Sequence, residues 1–155
     1  MNKRHTIRSQ MVDYSLPNYF FITICTYKYG YYFEKYPELK KIIKKNILNL
    51  NKYYSNIEIK EYVIMPNHIH MMLAITYQIK GITLGKVIAT LKSKSVIDWL
   101  VFINQNKINE RATIWQRNYY EHIIRDEKEK IEYRGYIKNN PKNWLNDSYH
   151  VSLVK

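Results

Sequence analysis

The sequence is poor in cysteine, glycine and proline, and these shortages exclude several classes of protein. It contains one cysteine, Cys25, which excludes an internal disulfide framework and a zinc site built from several cysteines. Cys25 lies in an apolar run, so we expect a buried, unreactive thiol. Only four glycines and four prolines occur, and neither a linker rich in them nor an internal repeat divides the chain. We therefore expect one domain spanning residues 1–155, long enough to enclose a hydrophobic core.

Long hydrophobic runs are also missing. No apolar stretch reaches the length that a transmembrane helix needs. The basic N-terminal stretch MNKRHTIRSQ, residues 1–10, is not followed by the apolar segment of a secretory signal. These features predict a cytoplasmic protein with no membrane partner.

Acidic residues are the most informative shortage. Asp and Glu together number 13 against 25 Lys and Arg, which gives a net charge of +12. Such a surface attracts polyanions, and nucleic acid is the first candidate because neutralising its phosphates releases counterions. An anionic membrane surface is the alternative, but no lysine-rich amphipathic helix with a strong apolar face supports it.

The hydrophobic periodicity predicts an α+β fold. Runs rich in aromatic and β-branched residues predict strands, whereas apolar residues at helical spacing predict helices that begin at caps such as Thr83 and Asp126. The predicted strands cover residues 19–27, 57–65 and 68–76, with a short one at 112–115, and the predicted helices cover 36–54, 83–102 and 125–140. This order predicts helices packed against an antiparallel sheet.

Two histidines interrupt the apolar run MPNHIHMML, residues 65–73. Side chains alternate across a strand, so His68 and His70 project from the same face. Two adjacent imidazoles are suited to binding a metal, although each could instead be satisfied by hydrogen bonds alone. A pair of histidines leaves a metal short of ligands, so a metal site needs a third group.

The last predicted helix offers such a group. Tyr136 and Asn140 are one helical turn apart, and Asn140 precedes Pro141, which disfavours helical geometry at position 140. Asn140 therefore lies near the C-terminal end of the helix, where the helix dipole favours a cation. Two imidazoles and an amide oxygen would leave positions open for phosphate oxygens and water, which suits Mg²⁺ or Mn²⁺.

A tyrosine beside such a metal suggests covalent nuclease chemistry, in which a phenol attacks a phosphodiester that the metal polarises. Tyr133 is the rival to Tyr136, but it lies two turns from Asn140, about 10.5 Å along the axis. The alternative is that both tyrosines only pack the helix onto the sheet.

The same residues resemble a known family. MPNHIHMML resembles the His-hydrophobic-His (HUH) motif of single-tyrosine transposases, with the Met-Pro lead-in typical of REP-associated tyrosine transposases in the IS200-like superfamily. Residues 114–144 resemble that group's second block, in which Trp-Gln and His-x-Ile-Arg stretches precede a Tyr-Ile-x-x-Asn-Pro box. Together with LGKVIATLKSKS, these blocks span about half of the chain in the family's order.

The resemblance implies a fold, a chemistry and a substrate. The fold is a ferredoxin-like (RRM-like) sandwich with an antiparallel sheet, helices on one face and a C-terminal catalytic helix. Tyr136 becomes the nucleophile, and His68, His70 and Asn140 become the ligands of Mg²⁺ or Mn²⁺. Family members cleave and rejoin single-stranded DNA through a 5′-phosphotyrosine intermediate and often recognise hairpins formed by inverted repeats. A homodimer is also compatible with the resemblance.

Several further residues are candidates for contacts with DNA or for catalysis. The basic candidates for nucleic-acid binding are Lys86, Lys92, Lys94, Arg117, Arg125, Arg134 and Lys138. Tyr119 and Tyr120 offer rings for unpaired bases, whereas Trp115 is interpreted as a core residue. His122 is either a general base or a packing residue, and we favour packing. Glu121 is expected on the solvated surface.

Other functions remain open at this stage. A non-catalytic RRM-like module that binds single-stranded DNA or RNA would explain the charge and the aromatic residues. It would leave unexplained why His68, His70, Tyr136 and Asn140 fit one site. A replication or relaxase-type HUH nickase would use the same chemistry in another role, and a metal hydrolase would use water and form no covalent adduct.

Overall fold

The computed structural model describes residues 13–150, so the basic N-terminal stretch lies outside the described part of the chain. Among the described residues, no helix combines the length and the apolar character needed to cross a bilayer. In chain order the strands and α-helices are β1 (Asn18–Cys25), α1 (Tyr32–Lys35), α2 (Pro37–Leu48), α3 (Leu50–Tyr53), β2 (Ile57–Met65), β3 (His68–Ile75), α4 (Leu84–Gln105), β4 (Tyr120–Ile124) and α5 (Glu127–Asn139).

The four strands form one antiparallel sheet in the order β2-β3-β1-β4. β2 and β3 are joined by a turn at Pro66 and Asn67, and β2 lies at the outer edge of the sheet. This arrangement confirms the predicted α+β sandwich. The central position of β3 and β1 means that side chains on β3 are enclosed by neighbours on both sides.

One face of the sheet carries the main hydrophobic core. Phe20, Ile22 and Ile24 of β1 are fully buried together with Ile69 and Met71 of β3. α2 and α4 cover this face, and the buried residues of α4 follow the predicted helical spacing, namely Leu84, Val87, Ile88 and Leu91. Each such side chain contributes roughly 1.5–3 kcal/mol on burial, so this face provides most of the hydrophobic stabilisation.

α5 covers the opposite face with a smaller cluster. Phe21 of β1 and Met72 of β3 pack there with Ile124 and with Ile137 of α5. Because side chains alternate along β3, the residues two and four positions before Met72 share its face. His68 and His70 therefore face α5 rather than the main core.

The predicted strand at 112–115 is wrong. Only Trp115 of that segment pairs with the sheet, in an isolated bridge to Thr26, while its ring packs at the edge of the core, 5.6 Å from that of Phe33. The fourth strand is instead Tyr120–Ile124, which pairs with β1 along its free side. This edge strand is partly exposed, so polar residues interrupt its apolar pattern. Hydrophobic runs alone therefore do not predict it.

The predicted helix over 36–54 is interrupted. α2 ends at Leu48 and α3 begins at Leu50, because Asn49 adopts φ −90° and ψ −2° between them. Asparagine favours such breaks, since its side chain competes for backbone hydrogen bonds. The break lets α3 turn toward β2 without an intervening loop.

Glu121 is buried, at 4% exposure, and the expectation of a solvated surface position is wrong. In the β1–β4 register Glu121 is opposite Ile22, whose side chain belongs to the main core. Partners directly across an antiparallel pair share a face. The carboxyl group therefore turns toward the α4 side of the sheet.

Cys25 is buried at the end of β1, as predicted. Burial raises the pKa of its thiol to about 12. A thiol with such a pKa carries almost no thiolate at neutral pH, which is the form that reacts.

Candidate active site

The centre of the site is the histidine pair on β3. In the sheet register His68 lies opposite Cys25 and His70 opposite Thr23 of β1. Both imidazoles are buried, at 0% and 1% exposure, and their Nε2 atoms are 3.1 Å apart. The two nitrogens therefore converge on one point between the sheet and α5.

The Asn67 side chain orients His68. Its Oδ1 atom lies 2.8 Å from His68 Nδ1, and its Nδ2 atom donates to the carbonyl oxygens of Tyr149 at 2.7 Å and Tyr29 at 3.3 Å. Since the amide oxygen can only accept, His68 Nδ1 carries the proton in this contact. The lone pair of the neutral ring is then on Nε2, the atom that faces His70.

Thr23 lies beside Nδ1 of His70, as Asn67 lies beside Nδ1 of His68. Its Oγ1 atom lies 2.8 Å from His70 Nδ1. A hydroxyl can donate or accept, so it can serve either tautomer of the ring. When Nδ1 carries the proton and donates to Thr23, the lone pair of Nε2 becomes available to a metal.

Both histidines are neutral near pH 7. Burial lowers the pKa of His68 to about 4, although a contact with the Asn140 side chain opposes the shift. Burial, and after it the neighbouring His68, lowers the pKa of His70 well below its usual value. The 3.9 Å approach of Asp147 Oδ2 to His68 Nε2 is therefore a contact with a neutral ring and not an ion pair.

Two buried oxygen atoms face the histidines without a well-formed hydrogen bond. Asn140 is 2% exposed, and its Oδ1 atom forms no hydrogen bond of normal geometry among residues 13–150. The Asp147 side chain is 3% exposed; its Oδ1 accepts from the backbone N–H of Tyr149 at 2.9 Å, but Oδ2 has no hydrogen-bond partner within the same residues. Burying such oxygens is costly, and a cation between them would offset the cost.

The geometry of α5 brings Asn140 into the site. Asp126 caps the start of the helix by accepting from the Glu129 N–H at 2.9 Å. Asn140 follows the last helical residue and keeps helical angles, φ −57° and ψ −44°, so the expected non-helical backbone before Pro141 is wrong. Packing of the buried amide outweighs this local preference. The predicted position at the C-terminal end of the helix, where carbonyl oxygens attract a cation, is correct.

These groups fit a divalent metal. Ligand atoms of His68, His70 and Asp147 all lie within 4.8 Å of one another, and Asn140 adds an amide oxygen from α5. Imidazole nitrogens with carboxylate and amide oxygens are suited to a divalent cation that keeps open coordination positions. Asp147 is the group that sequence reasoning missed, because a carboxylate in the segment after α5 belongs to no pattern that predicts its position.

Tyr136 faces the histidines from α5. Its ring centroid lies 5.2 Å from that of His70 and 5.9 Å from that of Phe21, and 45% of the residue remains exposed. Partial burial raises the pKa of the phenol, and the Asp147 carboxylate adds to this, whereas a contact with Asn140 lowers it. The phenol is therefore protonated at neutral pH and accessible from solvent.

Tyr133 occupies a different environment. Its ring stacks on Phe21 at 4.5 Å and lies 5.1 Å from that of His122. His122 in turn places Nε2 3.2 Å and 3.3 Å from the two carboxylate oxygens of Glu129. These contacts agree with a packing role for Tyr133 and His122. Two tyrosines lie beside the histidine pair: Tyr136 on α5, and Tyr149, whose ring centroid is 4.4 Å from that of His68.

The basic candidates for DNA binding are divided between the two faces of the sheet. Lys86 and Lys94 are exposed on α4, away from the histidines. Lys92 turns inward, and its Nζ atom donates to the carbonyl oxygens of Gln116, Arg117 and Asn118 at 2.8, 3.1 and 3.3 Å. Lys92 therefore fixes the loop before β4, and its contact with DNA stays a prediction.

Arg117 is exposed in the loop before β4, and the other three candidates lie on or next to α5. Arg134 Nε and Lys138 Nζ are 3.7 Å and 3.8 Å from Glu61 Oε2 on β2, and Arg125 lies 3.5 Å from Glu129. Arg134 and Lys138 are each two positions from Tyr136, so they are the basic candidates nearest to the site in sequence. The contacts of these basic residues with DNA stay predictions.

Comparison with known proteins finds relatives that are similar to this chain in sequence and in fold. An uncharacterised protein of Haemophilus influenzae is 31% identical over 97% of this chain and 95% of its own length. Another protein from that organism, assigned to the REP-associated tyrosine transposases, is 30% identical over 56% of each chain. The solved structure of a REP-associated tyrosine transposase bound to a REP hairpin covers 89% of this chain and 74% of its own, with a TM-score of 0.64 and 17% identity. The last match shows a shared fold.

The family model described as IS200-like transposase matches residues 13–140. This range includes all four strands, the histidine pair on β3 and the whole of α5 with Asn140. The resemblance inferred from the HUH motif and the Asn-Pro box is thereby confirmed: the chain belongs to the family of IS200-like transposases.

Proposed function

We propose that this chain is a transposase that cleaves and rejoins single-stranded DNA through a covalent link between Tyr136 and a 5′-phosphate. The convergence of four side chains carries the proposal: His68 and His70 from β3 meet Asn140 and Tyr136 from α5. Membership of the transposase family supports the DNA-processing role. The hairpin bound by the structural neighbour supports a hairpin substrate, and a chromosomal substrate agrees with a cytoplasmic location.

The proposed metal centre uses His68, His70 and Asn140, with Asp147 as an additional oxygen donor. A bound Mn²⁺ or Mg²⁺ would neutralise charge on the non-bridging oxygens of the scissile phosphate. Asn67 and Thr23 hold the imidazoles so that both Nε2 atoms face the same point. These partners fix ring orientation before DNA arrives, which avoids reorganisation during the reaction.

The proposed reaction is a transesterification at phosphorus. The Oη atom of Tyr136 forms a bond to phosphorus as the bond from phosphorus to the 3′-oxygen breaks, and the phenolic proton passes through solvent to that departing oxygen. The products are a 5′-phosphotyrosine and a free 3′-OH. Attack by a 3′-OH of another strand reverses the steps and rejoins DNA without an external energy source.

A covalent adduct is the direct test. The protein would be incubated with 5′- and 3′-labelled hairpin oligonucleotides from its own locus, in Mn²⁺ or in EDTA, and run on a denaturing gel. We expect a metal-dependent adduct that carries the downstream strand. Tyr136→Phe should abolish it, whereas the matched control Tyr133→Phe should retain it.

Three outcomes would contradict the proposal. Tight binding to these oligonucleotides with no adduct in any metal would favour a non-catalytic single-strand-binding module. Cleavage that leaves no protein attached would favour a hydrolase that uses water. Loss of the adduct in Tyr133→Phe alone would show that Tyr133, and not Tyr136, is the nucleophile.

A further inference from the structure

A cleft of about 730 Å³ follows the outer edge of the sheet next to the candidate active site. One wall is α2, the floor is the end of β2 with Pro66, and the other wall is the segment after α5, with Pro141 and Trp144. β2 is one of the two edge strands, and within the described residues its only strand partner is β3. The cleft therefore follows a strand edge that has no second strand partner in this part of the chain.

The cleft lies beside the candidate active site. Pro66 directly precedes Asn67, which orients His68, and Pro141 directly follows Asn140. The Trp144 ring in the wall lies 6.0 Å from the His68 ring. A DNA strand whose phosphate lay at the histidines could therefore continue into the cleft.

The α2 wall is positively charged, and two of its three lysines have no acidic partner among the described residues. Lys40, Lys41 and Lys44 line it and are exposed. Lys41 contacts Glu38 at 3.1 Å, but no carboxylate among residues 13–150 pairs with Lys40 or Lys44. Like charges one turn apart weaken a helix, so this spacing is not explained by the stability of α2. It is suited to an anionic partner with repeated charges.

Two of the other lining residues are aromatic and suited to stacking on bases. Tyr62 and Trp144 both line the cleft and are partly exposed. A wall of cations facing aromatic rings is the arrangement that single-stranded nucleic acids prefer, since phosphates contact the cations and unpaired bases stack on the rings. Lys40 and Lys44 are about 6 Å apart along the helix axis, so they can meet different phosphates of one strand.

From this geometry we infer that the cleft between α2 and Trp144 binds the unpaired DNA strand next to the scissile phosphate. The inference rests on the proposed function and adds a binding surface to it. It assigns Lys40, Lys41 and Lys44 to the phosphates of that strand, and Tyr62 and Trp144 to its bases. None of these residues is needed for the chemistry at Tyr136.

Binding can be measured separately from catalysis by using the Tyr136→Phe protein in EDTA. The probes are a fluorescein-labelled oligo-dT strand and a duplex of the same length, followed by anisotropy at several salt concentrations. The variant Lys40→Gln/Lys41→Gln/Lys44→Gln is compared with the control Lys45→Gln/Lys52→Gln/Lys80→Gln, which removes the same charge at exposed positions outside the cleft.

We expect the cleft variant to bind oligo-dT at least tenfold more weakly than the control. Its slope of log K against log salt should fall by about 2, since each lost phosphate contact on a single strand removes about 0.7. Duplex binding should change equally in both variants. Equal weakening of oligo-dT binding by the two variants would overturn the inference.

A crosslinking measurement tests the base contacts without replacing Tyr62 or Trp144. Oligo-dT with single 5-iodouracil substitutions would be irradiated with the Tyr136→Phe protein, and the modified peptides identified by mass spectrometry. Attachment to Tyr62 or Trp144 supports the cleft, and attachment only on α4 overturns it. Failure of the adduct experiment alone would remove the catalytic proposal, whereas failure of these binding measurements would remove only the cleft.

Discussion

The Nε2 atoms of His68 and His70 lie 3.1 Å apart while each ring is held from behind, by Asn67 and by Thr23. The oxygen of the Asn67 amide can only accept, so His68 carries its proton on Nδ1 and its lone pair on Nε2. The Thr23 hydroxyl can accept from His70 Nδ1, which is the tautomer whose Nε2 lone pair is available to a metal.

Replacing Thr23 should show whether its hydroxyl supports metal binding or whether the side chain only packs beside His70. Thr23→Val keeps the shape but removes the hydroxyl, so we expect Mn²⁺ affinity to fall by about 10-fold or more. Thr23→Ser keeps the hydroxyl and should bind within a few-fold of the wild type. Isothermal titration calorimetry with Mn²⁺ measures both. Equal affinities for the valine and serine variants would show that the hydroxyl plays no part.

Asp147→Asn should change metal affinity and stability in opposite directions. The carboxylate is buried with one oxygen unpaired in the described structure, so its loss should leave the metal-free protein at least as stable. Mn²⁺ affinity should fall by about 10-fold or more, because a charged ligand becomes neutral. Urea unfolding and Mn²⁺ titration give the two quantities, with Glu38→Gln, an exposed carboxylate on α2, as the control. A destabilised variant with unchanged affinity would assign Asp147 a purely structural role.

Stability should fall as the pH drops below the usual pKa of histidine. Burial lowers the pKa of His68 from 6.5 to about 4, so between these values the unfolded chain binds more protons than the folded one, and unfolding becomes easier as pH falls. From pH 7 to pH 5 this amounts to roughly 2 kcal/mol for His68, and His70 shifts in the same direction. Urea unfolding at both pH values measures the loss. The double variant His68→Gln/His70→Gln should lose less stability over this range, and an identical loss would trace the effect to other groups.

Lys92 should be important for stability even if it never contacts DNA. Lys92→Met keeps the aliphatic stem but leaves three carbonyl oxygens of the loop at residues 116–118 without their donor. We expect a loss of about 1–3 kcal/mol in the free energy of unfolding. Lys94→Met, at an exposed position on the same helix, should stay within about 0.5 kcal/mol of the wild type. Equal stabilities for the two variants would contradict the assigned role.

Local patterns predict the parts of the site that lie on regular elements. Alternation along β3 is enough to place His68 and His70 on one face, and helical spacing is enough to relate Tyr136 to Asn140. The relation between these two pairs depends on α5 packing against β3, which only the resemblance to a family supplied before the structure was known.

Residues in irregular segments could not be predicted in the same way. Asp147 reaches the histidines because the chain turns back after Pro141, and no periodicity marks that path. The inward turn of Lys92 depends on carbonyl groups more than 20 positions away in the chain. The edge strand β4 is defined by its pairing with β1 rather than by its own apolar content.

The two faces of the sheet serve different purposes. The α2–α4 face holds the main hydrophobic core, which provides stability, and the α5 face holds the histidines of the candidate active site. A deep mutational scan should therefore yield two classes of loss-of-function variants. Substitutions at residues such as Ile22 or Leu91 should lower cellular abundance, whereas those at Tyr136 should leave abundance intact. Selection for greater heat resistance could then proceed on one side of the molecule while substrate preference diverges on the other.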